Sequence, residues 1–183
     1  INKLEKTFEN GKIIKEGINV AIIGKPNAGK SSLLNAILDT ERAIVTEIEG
    51  TTRDTIEEFI QIDGIPIKII DTAGIRNTEN LVEKIGIEKS IEMAKSADLI
   101  IAIIDSSKDL EEEDKRIFQM IENKRAIILL NKIDKERVIN EAEIKEFAKG
   151  KSIIEISALN RMGISKIYDK ISEMYGLNEI SVD

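Results

Sequence analysis

The sequence contains no cysteine, no histidine and no tryptophan, and only 3% of its residues are aromatic. Without cysteine and histidine, the chain has no disulfide, no thiolate or imidazole metal ligand, no cysteine nucleophile and no histidine general base. Its chemistry must come from carboxylates, hydroxyls, amides, bound water and hard cations. No apolar run approaches the ~20 residues that span a membrane, and the first residues resemble no secretory signal. We therefore expect a cytoplasmic protein without a membrane partner.

The 183 residues suit a single domain with a substantial core, and 42% hydrophobic and 33% charged residues are ordinary for a globular protein. Acidic residues outnumber basic residues by 34 to 27, which gives a formal net charge of −7. This balance argues against a broad electrostatic grip on nucleic acid, because such a grip needs a basic face. A phosphate-bearing ligand would be held by local geometry. We interpret the charge runs at residues 111–116 and 134–137 as solvated surface.

Residues 24–31 (GKPNAGKS) match the phosphate-binding loop G-x-x-x-x-G-K-[ST]. The apolar residues 20–23 predict a buried strand before the loop, and residues 32–38 predict a helix after it. In this arrangement, backbone N–H groups and the helix N-terminus wrap the phosphates of a nucleotide. Lys30 adds positive charge at the outer phosphates, and Ser31 offers its hydroxyl to a magnesium ion.

The remaining pattern predicts an α/β fold in three layers. Two strands at residues 55–62 and 65–70 flank Asp63-Gly64, which is a strong hairpin signal. Downstream, apolar strands alternate with amphipathic helices, as in a mostly parallel sheet that is covered on both faces. We expect six strands, one of them antiparallel. The predicted strands after the hairpin are residues 99–104, 126–130 and 152–156, and the helices are residues 82–95, 112–122, 141–148 and 164–174.

Ligands bind at the carboxyl ends of the strands in such sheets, and candidate residues follow several of them. Asp71 follows the strand at residues 65–70, where it would hold magnesium, usually through water. The nearby Gly74 amide would approach the terminal phosphate. Thr51 and Thr52 lie in a polar segment and could close over the metal and that phosphate. One hydroxyl is enough for magnesium, and the sequence leaves open which one.

Asn131-Lys132-Ile133-Asp134 follows a buried strand and indicates the choice of base. A carboxylate such as Asp134 accepts hydrogen bonds from the N1–H and the amine of guanine, whereas adenine has an acceptor at N1. The mispaired site would be costly, so we expect GTP over ATP. Lys132 would lay its aliphatic stem along the base, and Asn131 would brace the loop. After Ser157, the Ala158 amide can be offered to guanine O6.

Together these motifs occur in the order and spacing of the translation-factor-related GTPases, which residues 17–174 resemble. Within that class, residues 24–35, 49–54, 71–76 and 82–87 look most like the G domain of the MnmE (TrmE) family of tRNA-modifying GTPases. The resemblance implies a P-loop GTPase fold of the Ras-like kind and Mg-dependent hydrolysis of GTP to GDP and phosphate. Ribosome-assembly GTPases of the Der and Era kinds share parts of these motifs, so they stay open as an alternative.

The resemblance also implies how hydrolysis is catalysed. Ile75 occupies the place where Ras-like GTPases have a water-orienting glutamine, and isoleucine cannot orient water. The family instead implies a potassium ion and a glutamate, Glu83, that orients water when two G domains meet. The implied potassium ligands are Asn27, Thr46, Ile48 and Thr51. Asn27 could also merely shape a turn, and Glu83 could be a solvated residue in the first turn of a helix.

The implied site is therefore as follows. Catalysis would rest on Glu83, Lys30 and Gly74. Magnesium would be held by Ser31, Thr52 and Asp71. The nucleotide and its cations would contact Asn27, Ala28, Gly29, Lys30, Ser31, Ser32, Thr51, Thr52, Asp71, Gly74, Asn131, Lys132, Asp134, Ser157 and Ala158.

The resemblance divides the chain into residues 1–16, a connector from a preceding helical domain, residues 17–176, the G domain, and a tail at residues 177–183. In full-length proteins of the family, a flavoprotein partner and tRNA are engaged through other parts, and the wobble uridine is modified. A nucleotide-gated interaction switch with slow hydrolysis remains a further alternative. The residues Asn131 to Asp134 argue against an ATP-using phosphotransferase.

Overall fold

The computed structural model describes residues 11–13, 15–40, 44–45, 58–62, 64–70 and 85–176. Within these residues, a short helical segment at 11–13 and 15–16 precedes seven strands and five helices, in the order β1, α1, β2, β3, β4, α2, β5, α3, β6, α4, β7 and α5. The strands are β1 (Ile18–Gly24), β2 (Ile44–Val45), β3 (Glu58–Ile62), β4 (Ile65–Ile69), β5 (Leu99–Asp105), β6 (Ala126–Asn131) and β7 (Ser152–Glu155). The helices are α1 (Lys30–Leu38), α2 (Ile85–Ser96), α3 (Glu112–Ile121), α4 (Glu141–Ala148) and α5 (Ile164–Tyr175).

All seven strands form one sheet in the order β2-β3-β4-β1-β5-β6-β7. β1 runs parallel to β4 and β5, and β6 runs parallel to β5 and β7. Among the strands that the structure describes, only β3 runs against its neighbours, β2 and β4. The mostly parallel sheet with one antiparallel strand is therefore confirmed, and the strand beyond the six predicted ones is the two-residue β2 at the edge. Ile62 pairs with Ile65 across the predicted hairpin turn.

The core lies on both faces of the sheet, because successive residues of a buried strand point to opposite faces. On β5, Ile101 and Ile103 belong to the hydrophobic cluster that includes residues of α1 and α5. Ile100, Ala102 and Ile104 belong to a second cluster, with residues of α3 and α4. Both β5 and β6 are buried along their whole length, which explains their unbroken apolar sequences. The three predicted layers are present.

The register of the parallel strands brings the ends of β1, β5 and β6 to one edge of the sheet. Gly24 of β1 pairs with Ile103 of β5, and Asp105 at the end of β5 pairs with Asn131 at the end of β6. β5 and β6 each continue for one polar residue beyond the apolar residues from which they are predicted. No helix within the described part of the chain has the length and apolar character needed to cross a membrane.

Candidate nucleotide-binding site

The phosphate loop leads from β1 to α1, and its two motif glycines are fixed by close packing. A Cβ on Gly24 would lie 2.5 Å from Cγ2 of Ile103. Gly29 has φ of +112°, and a Cβ there would lie 2.1 Å from Nδ2 of Asn131. Asn27 also has a left-handed backbone, with φ of 63°. The loop therefore holds its shape because only glycine fits at both motif positions.

Lys30 begins α1, and its side chain folds back over the loop. Its Nζ donates hydrogen bonds to the carbonyl oxygens of Gly24 and Lys25, each at 2.7 Å. Burial lowers the pKa of Lys30 to about 8. Of the residues that the structure describes, no carboxylate forms an ion pair with this ammonium, so an incoming phosphate would supply its counter-charge.

Asn131, at the end of β6, joins the phosphate loop to the loop after β7. Its side chain is 3% exposed, and its Nδ2 donates to the carbonyl of Ala28 at 2.8 Å. Its Oδ1 accepts from the Ala158 amide at 2.9 Å. The amide that the sequence analysis assigns to guanine O6 therefore contacts Asn131 in this structure. Both atoms of the Asn131 amide group are satisfied, which makes it a rigid link between two loops.

Lys132 has a left-handed backbone, with φ of 69°, and its Nζ reaches back across the site. Nζ donates to the carbonyl of Asn27 at 2.7 Å and to Oδ2 of Asp105 at 2.6 Å. Asp105 is 5% exposed, and its Oδ1 accepts from the Ser107 amide at 3.0 Å and the Ser107 hydroxyl at 2.6 Å. Burial alone would raise the pKa of Asp105, but the hydrogen bonds from Lys132 and Ser107 outweigh it and lower the pKa.

Asp134 lies at the surface, where its Oδ1 accepts a hydrogen bond from the Ser157 hydroxyl at 2.6 Å. Ser157 is itself completely buried, and its hydroxyl oxygen accepts from the Asn160 amide at 3.2 Å. The Ile133 amide donates to the carbonyl of Ile156 at 3.2 Å. The two loops to which the sequence analysis assigns the base are thus bonded to each other.

A second ion pair fixes the start of the phosphate loop. Lys25 Nζ lies 2.7 Å from Oδ2 of Asp114 and 2.9 Å from Oε2 of Glu111. Burial alone would lower the pKa of Lys25, but its bonds to Asp114 and Glu111 outweigh it and raise the pKa. The prediction of solvated surface at residues 111–116 is wrong for Asp114, which is 2% exposed. Its carboxylate closes the capping box at the start of α3, so it turns inward to Lys25.

The structure thus brings together Asn27, Ala28, Gly29, Lys30, Asn131, Lys132, Asp134, Ser157 and Ala158, while Ser31 and Ser32 lie in the first turn of α1. Asp105, which the sequence analysis missed, joins them; its signal was a polar residue directly after an apolar strand at the same sheet edge. The other assigned residues lie outside the described ones: Thr46, Ile48, Thr51, Thr52, Asp71, Gly74, Ile75 and Glu83.

Comparison with curated proteins gives relatives over nearly the whole chain. The tRNA modification GTPase MnmE of Clostridioides difficile (strain 630) is 55% identical over 174 residues, which are 95% of this chain and 38% of that protein. The MnmE of Thermoanaerobacter sp. (strain X514) is 50% identical over 182 residues, which are 100% of this chain and 40% of that protein. The chain spans about two fifths of the length of these relatives. The resemblance to MnmE is confirmed.

A solved structure of Era in complex with MgGDPNP and nucleotides of 16S ribosomal RNA has a similar fold. It is 30% identical, the TM-score is 0.61, and the match covers 85% of this chain and 56% of that one. The family described as 50S ribosome-binding GTPase matches residues 19–132, which include the phosphate loop and Asn131-Lys132. The chain belongs to this GTPase family: it is a GTP hydrolase domain that binds guanine nucleotides.

Proposed function

We propose that this chain is the G domain of a tRNA-modifying GTPase, and that it hydrolyses Mg-bound GTP to GDP and phosphate. The observation that carries the nucleotide site is the Asn131 side chain, which bonds to Ala28 in the phosphate loop and to Ala158. A nucleotide that bridges these two loops would place its phosphates at the phosphate loop and its base at the loop after β7. The tRNA role is supported by the 55% identity to a tRNA modification GTPase.

Guanine would be read by the carboxylate of Asp134. Its hydrogen bond to the buried Ser157 hydroxyl supports this role, because a carboxylate that is already oriented loses less freedom when the base binds. Lys132 would lie along the base, and the backbone amides of the phosphate loop, at Ala28, Gly29, Lys30, Ser31 and Ser32, would bind the phosphates. Ala158 would reach guanine O6 only by sharing its amide with Asn131.

Magnesium fits the chemistry of the oxygen donors that we assign to it. Magnesium in nucleotide sites is held by one or two carboxylates and by Ser or Thr hydroxyls, and phosphate oxygens and water complete its shell. Ser31 lies directly after Lys30 in the first turn of α1, and Asp71 follows β4, which pairs in parallel with β1. We assign these two oxygens and the Thr52 hydroxyl to the metal. When bound, the ion would neutralise charge on the phosphates.

We further propose that potassium stimulates hydrolysis when two G domains dimerise. Asn27, Thr46, Ile48 and Thr51 would hold this ion, and Glu83 would orient the attacking water. The left-handed backbone of Asn27 supports a special role for this residue. Its carbonyl accepts from Lys132, so the oxygen that we assign to potassium is that of its side chain.

In the full-length protein, residues 17–176 would be the G domain, residues 1–16 its entering connector and residues 177–183 its tail. A flavoprotein partner and tRNA would bind to parts outside this chain, and the reaction would modify the wobble uridine. The net charge of −7 agrees with a G domain that does not itself grip the tRNA broadly. We place this work in the cytoplasm, the compartment that holds tRNA.

The test is GTP hydrolysis by this chain at matched ionic strength in potassium chloride and in sodium chloride, across protein concentrations. The proposal expects strong stimulation by potassium that rises with protein concentration and is lost in Glu83→Gln. The control is binding of GDP, which Glu83→Gln should leave unchanged. Equal slow rates in both salts would contradict the dimer mechanism and favour a partner-activated switch.

A second candidate is a ribosome-assembly GTPase. It is favoured by the family description and by the 30% identity to Era, but the tRNA modification GTPases are considerably more similar, at 50% and 55%. A ribosome-assembly GTPase would be stimulated by ribosomal RNA or ribosomal subunits. Stimulation of hydrolysis by these, with none by potassium, would support the second candidate.

A further inference from the structure

Of the described residues, two carboxylates are buried, Asp105 and Asp114, and each contacts a lysine of the nucleotide site. Asp114 caps helix α3, so its contact with Lys25 has a clear structural role. Asp105 is different because it lies at the end of β5, beside Asn131 in the register of the sheet. A carboxylate is rarely buried unless a partner compensates its charge, and here the partner is Lys132.

The two oxygens of Asp105 have separate partners. Oδ1 accepts both hydrogen bonds from Ser107, which form a local turn two residues along the chain. Oδ2 accepts from Lys132 Nζ at 2.6 Å, across 27 residues of sequence. The turn with Ser107 needs only one oxygen and no charge. The second oxygen and the negative charge are therefore directed at Lys132.

Lys132 belongs to residues 131–134, which we call the base loop because we assign the guanine base to it. Its side chain connects this loop to the phosphate loop, and its backbone conformation is unfavourable. Lys132 and Asn27 both have positive φ, at 69° and 63°, and the Lys132 ammonium bonds to the carbonyl of Asn27. Residues with a Cβ adopt this region far less often than glycine, and asparagine does so more readily than lysine, so the conformation of Lys132 is the one that its surroundings impose. Asp105 supplies an ionic contact that holds the Lys132 side chain in this position, and the loop carbonyl supplies a neutral one.

We propose that Asp105 is a positioning residue of the nucleotide site, whose carboxylate holds Lys132 across the Asn27 carbonyl before guanine binds. The inference rests on the proposed function, in which the stem of Lys132 lies along the base. A lysine has four rotatable side-chain bonds, so a free Lys132 would lose much freedom on binding. Prior ordering by Asp105 removes that loss and strengthens nucleotide binding.

The effect should be on binding and not on the chemical step. Lys132 contacts the base in the ground state and the transition state alike, so its positioning contributes uniform binding. Loss of Asp105 should therefore raise the Kd for GDP and the KM for GTP together and leave kcat unchanged. The dissociation rate should carry most of the change.

The decisive variant is Asp105→Asn. Its single oxygen can keep the turn with Ser107, and its NH₂ group then faces the Lys132 ammonium, so that two donors meet. We expect binding of a fluorescent GDP analogue to weaken about tenfold, with kcat within about twofold of wild type. Ser107→Ala is the matched control, because it removes one bond of the turn and leaves the ion pair; we expect a change below about twofold.

A double-mutant cycle separates positioning from a general structural role. If Asp105 acts through Lys132, Asp105→Asn combined with Lys132→Met should bind GDP no more weakly than Lys132→Met alone. Thermal unfolding is recorded for each variant, and Asp105→Ser, which can also form the turn, replaces Asp105→Asn if that variant does not fold. The inference would be overturned if the affinity losses of the two single variants multiplied in the double variant. It would also be overturned if Asp105→Asn bound GDP as tightly as the wild type. Failure of the wild-type chain to bind GDP would overturn the proposed function together with it.

Discussion

In the phosphate loop the Lys30 ammonium is held by two neutral carbonyls, whereas after β6 the Lys132 ammonium faces the carboxylate of Asp105. Burial lowers the pKa of Lys30 to about 8, which means that its charge is poorly compensated. For Asp105 the balance is reversed, because its hydrogen bonds from Lys132 and Ser107 outweigh burial and lower the pKa of the carboxyl group.

The base loop and the phosphate loop therefore differ in what a ligand supplies to them. The base loop is complete without ligand, since Asn131, Lys132 and Asp134 all bond to protein groups. In the phosphate loop, the partly buried Lys30 ammonium has no carboxylate partner among the residues that the structure describes, and a cation without such a partner is costly to bury. An incoming phosphate supplies that anion, so part of its binding free energy comes from relieving the cost at Lys30.

We expect the largest effect from Lys30→Met. We expect GDP affinity to fall by about a thousandfold or more, because charge-assisted bonds to phosphate are lost. At the same time the free energy of unfolding of the nucleotide-free chain should rise, by at most about 3 kcal/mol, because a poorly compensated buried charge is removed. Urea unfolding and GDP titration measure the two effects. In the control, Lys166→Met at an exposed position, both should stay near wild type.

Gly29→Ala should disrupt the contact between the phosphate loop and Asn131. The new Cβ would lie 2.1 Å from Nδ2 of Asn131, and φ at this position is +112°. We expect a loss of about 2–4 kcal/mol in the free energy of unfolding, because both the backbone strain and the lost Asn131 contact contribute. Gly150→Ala is matched for backbone conformation, with φ of +81° and open space around it, and should cost about 1 kcal/mol. Equal losses in urea unfolding would mean that Asn131 moves aside without consequence.

Lys132→Met should shift stability in the direction opposite to Lys30→Met. Removing this ammonium leaves the Asp105 carboxylate buried without its ionic partner. Since Lys132 is 22% exposed, water would replace part of the contact, and we expect a loss of about 1–3 kcal/mol. Urea unfolding of the nucleotide-free chain measures it. A gain in stability would show that the charge of Lys132, like that of Lys30, is poorly compensated.

Much of this site could be predicted from the sequence, because its residues directly follow apolar strands. Parallel strands place their carboxyl ends at one edge, so the phosphate loop and Asn131 to Asp134 had to lie near each other. The fold class followed from the same alternation of strands and helices. These features depend on local pattern, which the sequence displays.

The contacts that were not predicted depend on register across long stretches of chain. Nothing in the sequence indicates that Asp105 meets a lysine 27 residues later, because that requires the pairing of β5 with β6. Asp114 stood in an acidic run that is typical of solvated surface. It is buried because α3 packs so that its first turn reaches Lys25, 89 residues earlier in the chain. Such pairings follow from packing, and the hydrophobic periodicity of the sequence does not predict them.

The smallest expected effect is a pH dependence of GDP binding that comes from Lys30. Its pKa is about 8 in the folded chain and 10.5 in the unfolded chain, so between these values only the unfolded state keeps the proton, and stability without nucleotide rises with pH. GDP binds the charged form, so its affinity should fall about sevenfold between pH 7 and 8.8, with proton uptake near pH 8 in calorimetry. Lys30→Arg keeps its charge throughout this range and should lose this dependence. An equal slope in both proteins would assign the titration to another group and remove the electrostatic difference between the two loops.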